Sequence, residues 1–118
     1  MDLYAKIYLY SSAAKPQVDE LLFKLTINLK SIDWSVAKND DFNSEKAIQF
    51  PNGFLFFPYM IEVDPSPSAD PVIYLNEIAT LLNLLWKEGI SAVTAANFEN
   101  QLPEQGGYKN ISILFNSI

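Results

Sequence analysis

Glu62 and Asp64 stand two residues apart in "FPYMIEVD", and Asn97 and Glu99 stand two apart in "TAANFENQ". Carboxylates at that spacing share one strand face, where they can bind a hard cation or divide the roles of acid and base. Neither pair has a third ligand at fixed spacing, and charges at strand ends are ordinarily just solvated. The sequence therefore predicts no metal centre and no catalytic carboxylate pair. "NDD" at 39–41 with Glu45 offers oxygen ligands but lacks the spacing and central glycine of an EF-hand loop. "EQGGY" at 104–108 opens no helix that could cradle a phosphate. Ser11 and Ser12 follow a strand, yet a serine nucleophile needs a base beside it.

That base is missing. All eight basic residues are lysines, and the chain has no arginine, histidine or cysteine. The usual metal ligands, the Ser-His and Cys-His pairs and the bidentate guanidinium forks are thereby removed together. The expectation is a non-enzymatic protein with no cofactor. Fourteen acids give a net charge of −6, which should repel nucleic acid and anionic membrane surfaces and leaves a basic protein partner electrostatically allowed. A length of 118 residues, 49% hydrophobic and 19% charged, describes one folded domain over residues 1–118, whose α+β class follows from the order of its elements below. The longest apolar run falls far short of the roughly 20 residues that cross a bilayer. "MDLYAKIYLYSS" has no basic stretch ahead of its apolar residues, so a cytoplasmic location is expected.

The elements that would position these residues follow from periodicity. Leu3, Ala5, Ile7 and Leu9 alternate with Tyr4, Lys6, Tyr8 and Tyr10, the pattern of a strand. Pro16 suits a first helical turn, and Val18, Leu21, Leu22, Leu25, Leu29 and Ile32 fall on one helical stripe, with Asp19 and Glu20 in the first turn and Lys30 in the last. A short strand is predicted around residues 34–38, and a third over residues 54–63. Asp70 and Pro71 read as cap and first turn of a second helix that Gly89 stops, with Tyr74, Ile78, Leu81, Leu82, Leu85 and Trp86 on its apolar stripe. "ISAVTAANF" reads as a fourth strand, "ENQLPEQGG" as a loop and "NISILFNSI" as a last strand.

This order matches a two-layer ferredoxin-like sandwich, βαββαβ plus a C-terminal strand, with two helices on one face of an antiparallel sheet. Strands one and three would then be central. Leu55, Phe57, Tyr59, Ile61 and Val63 would face the helices, and Phe54, Phe56, Met60 and Glu62 would join Tyr4, Tyr8 and Tyr10 on the other face. Pro58 conflicts with a regular central strand, because it cannot donate to a ladder. So large an apolar face calls for a cover. A second copy, a foreign protein, or the chain's own tail or residues 39–52 could each supply it. The leading expectation is a protein partner, with a homodimer formed through the open sheet face. Aromatics on such a face can stack on RNA, but eight scattered lysines build no basic funnel.

The stretch from "FPYMIEVD" to "NFENQLP", closing on Phe98, Glu99, Leu102 and Pro103, resembles a pattern in small uncharacterised bacterial ferredoxin-like proteins. In size, acidity and lack of an active site, the chain is similar in style to the acidic immunity proteins of bacterial toxin systems. That likeness implies neutralisation of a toxin by binding, with Glu62, Asp64 and Glu99 meeting a basic surface. The alternative is a small-ligand sensor or orphan enzyme of the ferredoxin-like superfold, with a pocket between sheet and helices or at a dimer interface.

Overall fold

The computed structural model describes residues 2–49 and 52–110. They form an α+β unit in the order β1 (Ala5–Tyr10), α1 (Lys15–Leu25), β2 (Ile32–Lys38), α2 (Ser44–Ala47), β3 (Tyr59–Pro65), α3 (Pro71–Lys87) and β4 (Ser91–Ala96). The four strands make one antiparallel sheet in the order β2-β3-β1-β4, so β1 and β3 are the central pair, as the predicted element order implies. The expected last strand lies outside the described residues, apart from the backbone of Asn110.

The main core lies between the sheet and the two longer helices. Ala5, Ile7 and Leu9 of β1 and Tyr59, Ile61 and Val63 of β3 are buried with Val18 and Leu22 of α1 and Tyr74, Ile78, Leu81, Leu82 and Leu85 of α3. Burial of these side chains supplies the main drive to fold. Helix α3 has the predicted bounds. Asp70 Oδ1 accepts from the N–H groups of Val72 and Ile73, Pro71 opens the first turn, and Gly89 takes φ +79° just past the end. The Tyr74 hydroxyl crosses the core to lie 2.5 Å from the Leu3 carbonyl oxygen and 3.3 Å from that of Val63.

Helix α1 is shorter than its apolar stripe suggests. It stops at Leu25, where both the N–H and Oγ1 of Thr26 donate to the Leu22 carbonyl, and Ile32 becomes the first residue of β2. Thr26, Ile27 and Asn28 are three weak helix formers in a row, so the helix ends there despite the continuing spacing. The helix starts at Lys15, so Asp19 and Glu20 fall beyond the first turn, where Asp19 pairs with Lys15 at 3.1 Å, and the early stop leaves Lys30 outside the helix.

The third strand is the main correction. It begins at Tyr59, and residues Gly53–Phe56 form a 3-10 turn instead of strand. Pro58 thus sits immediately before the ladder, which removes its conflict with strand pairing. Leu55 is exposed, and Phe57 is buried away from the main core, in a second cluster with Ala47 and Val93. The two sheet edges also differ. Beside β4 runs the predicted loop, in which Glu99–Gln101 make a 3-10 turn and Glu104, Gln105, Gly106 and Gly107 take positive, non-helical φ, and a Cβ on Gly107 (φ +98°) would strike the Ala92 carbonyl. Among the described residues, edge strand β2 pairs only with β3.

Candidate functional site

The second sheet face divides into a covered half and an open half. Tyr8 and Tyr10 of β1 and Val93 of β4 lie under residues 42–49 and 52–57, part of the connection from β2 to β3 that covers this face. Tyr8 meets Phe54 edge-on, with ring centroids 5.5 Å apart, and Tyr10 meets Phe57 in the same way at 5.4 Å. Lys46 of α2 places its ammonium 5.1 Å from the centre of the Phe56 ring.

Asn39 ties this cover down. Its Nδ2 donates to the carbonyls of Leu55 and Phe57, its N–H donates to Pro58, and its Oδ1 accepts from the Asp41 N–H. Asn43 caps α2 through Oδ1 and donates its own N–H to the Phe56 carbonyl. Gly53 packs against α2 so closely that a Cβ would lie 2.5 Å from the Ala47 carbonyl oxygen. Tyr8, Tyr10, Phe54 and Phe56 are therefore brought together as the sequence suggests. Their cover, however, is the chain itself, and Phe54 and Phe56 reach the cluster from a turn instead of a strand.

The open half carries charge. Met60 is half-buried opposite Tyr8 and Ala37, while Glu62 and Asp64 are exposed. Asp64 stands directly across the ladder from Asp33, a like-charge pairing that costs stability unless something neutralises it. Tyr4 donates its hydroxyl to Glu62 Oε1 at 2.9 Å. Burial, then this hydrogen bond and the Glu62 charge, push the Tyr4 phenol up to about 12. Glu99 is turned to its own backbone, its Oε2 accepting from the Ala96 N–H at 3.3 Å. Among the described residues, no three acidic side chains are placed to hold a metal ion, and no helix is long and apolar enough to cross a membrane. Trp86 packs on the main core and donates Nε1–H to the Ala92 carbonyl.

A cleft of about 430 Å3 opens at the end of the sheet where β1 and β2 finish and β3 begins. Tyr10, Phe42 and Pro58 give it apolar walls, and Ser11, Ser12, Lys38 and Asn39 contribute polar groups. None of these except Tyr10 is singled out by periodicity. Pro58 is the available signal, because it fixes where the ladder must start and hence where the preceding loop must cross. Compared with protein-family models, with curated proteins and with solved structures, the chain matches none.

Proposed function

We propose that this chain is a non-enzymatic protein-interaction domain of ferredoxin-like, split βαβ topology. In its most concrete form it is an acidic immunity-type protein that neutralises a bacterial toxin by binding. The strand order β2-β3-β1-β4, with α1 and α3 sharing one core, supports that topology. The observation that carries the interaction reading is the open half of the second sheet face. There Asp33, Glu62 and Asp64 project from β2 and β3, with Asp33 and Asp64 opposed across the ladder. A basic partner relieves that repulsion and is steered to it by a chain of net charge −6. A second copy seated face to face would instead set the same carboxylates against one another, so the reading favours a foreign, basic protein over a homodimer.

The test is complex formation between the purified chain and the products of adjacent genes at physiological salt, with light scattering on the chain alone. The reading expects a complex with a basic partner that weakens in high salt and is lost in a Glu62→Lys/Asp64→Lys variant that still folds. Absence of any complex, or one indifferent to both charge reversals, contradicts it.

A further inference from the structure

We infer that the cleft at the end of the sheet is a binding site for a small amphipathic anion, a carboxylate carried on an apolar body. Its volume of about 430 Å3 lies within the range of small-molecule pockets. The apolar side is built by the edge-to-face pair Tyr10 and Phe42, with ring centroids 6.4 Å apart, together with Pro58.

The polar side separates into groups already used and groups still available. Asn39 spends both amide hydrogens on Leu55 and Phe57, and the Tyr59 hydroxyl donates to the Ala13 carbonyl at 2.6 Å. These two build the wall. Ser11 Oγ accepts from the Ala13 N–H at 3.2 Å, which leaves its own proton to donate. The side chains of Ser12 and Lys38, two of the residues that line the cleft, make no hydrogen bond or ion pair among the described residues. The remaining capacity is thus two hydroxyls and one cation, a set that receives an acceptor of negative charge. Charge selects in the same direction. Although the chain carries fourteen acids, no carboxylate among the described residues lines the cleft, and the one charged residue among them there is Lys38.

The proposal is independent of the acidic sheet face. It is tested by following amide resonances of the labelled protein during titration with octanoate, with indole-3-acetate, and with the neutral indole-3-acetamide. At least one of the two carboxylates should give saturable shifts confined to residues 10–13, 38–42 and 58–59. The amide should bind about tenfold more weakly than its acid, the loss of one charge-assisted contact. Lys38→Met, an exposed position where folding is preserved, should reduce the acid to the level of the amide. Phe42→Ala should weaken acid and amide alike. No saturable shift with either carboxylate overturns the proposal. So does equal binding of acid and amide that Lys38→Met leaves unchanged, because the cleft would then be apolar and blind to charge.

Discussion

Tyr8 and Phe54 meet edge to face at 5.5 Å, although one lies in a central strand and the other in a turn that the strand ladder never includes. This contact fixes the self-made cover to the sheet. Phe54→Ala should destabilise the protein by about 1–2 kcal/mol, through loss of a partly buried ring and its edge-to-face contact with Tyr8. Urea denaturation measures the cost. Faster exchange of the amides of residues 43–57 than of β1 should show that the cover loosens ahead of the sheet.

Asn39 is the second attachment, and its substitution should be costlier than its small size suggests. Asn39→Ala leaves the carbonyls of Leu55 and Phe57 without their donors at a buried site, about 2 kcal/mol or more. Asn39→Asp should be at least as damaging, because its carboxylate would face those two carbonyls with no hydrogen to offer. Equal stability of Asn39→Ala and wild type in denaturant would contradict this account of the cover.

Gly53 and Gly89 should respond to alanine for different reasons. At Gly53 a Cβ would lie 2.5 Å from the Ala47 carbonyl oxygen and 2.7 Å from that of Lys46, so backbone must move, at about 1–3 kcal/mol. At Gly89 nothing lies within 4 Å, and only the strain of φ +79° opposes a side chain, about 1 kcal/mol. Thermal unfolding of the two variants should rank Gly53→Ala as the less stable.

The Tyr4 phenol should titrate near 12 in the folded protein, against 10.0 for an unperturbed tyrosine. A raised folded value means that the native state holds this proton more tightly than the unfolded chain does. The associated stability is fully present below pH 10 and is lost as pH rises from 10 toward 12. Glu62→Gln removes the negative charge and weakens the hydrogen bond, so the Tyr4 value should fall, yet stay above 10 because burial is the larger cause. Carbon-13 tyrosine resonances followed through alkaline pH report it, and no movement in the variant would refute the coupling.

Much of the frame is legible in the chain itself. The strict alternation of Leu3 to Tyr10 gives β1 and its two faces, and Asp70, Pro71 and Gly89 bracket α3 because caps act locally. The run "GFLFFPYMIEVD" misleads for a physical reason. A continuous apolar stretch has no period, so it fits a strand buried on both faces as well as a turn that buries its own aromatics. Pro58 holds the decisive information, since a residue without an N–H marks the ladder's start. The role of Asn39 is not readable from spacing, because its acceptors lie 16 and 18 residues further on and meet it only after the chain has folded back. The same is true of Lys38 and Ser12, which become neighbours of one cleft only when three element ends converge.

Residues 39–58 begin and end at one ladder rung, Lys38 facing Tyr59. Those two strand ends are close enough for a two-residue Asn-Gly link to join them as an ordinary hairpin. The covering layer is thus an appendage on a hairpin, and the central ladder has no topological need of it. Cutting it out should leave a shortened chain with the same strand order and a bare Tyr8, Tyr10 and Val93 face, folded but adhesive to itself. What shields this aromatic face is a detour of about twenty residues between two strands that already touch.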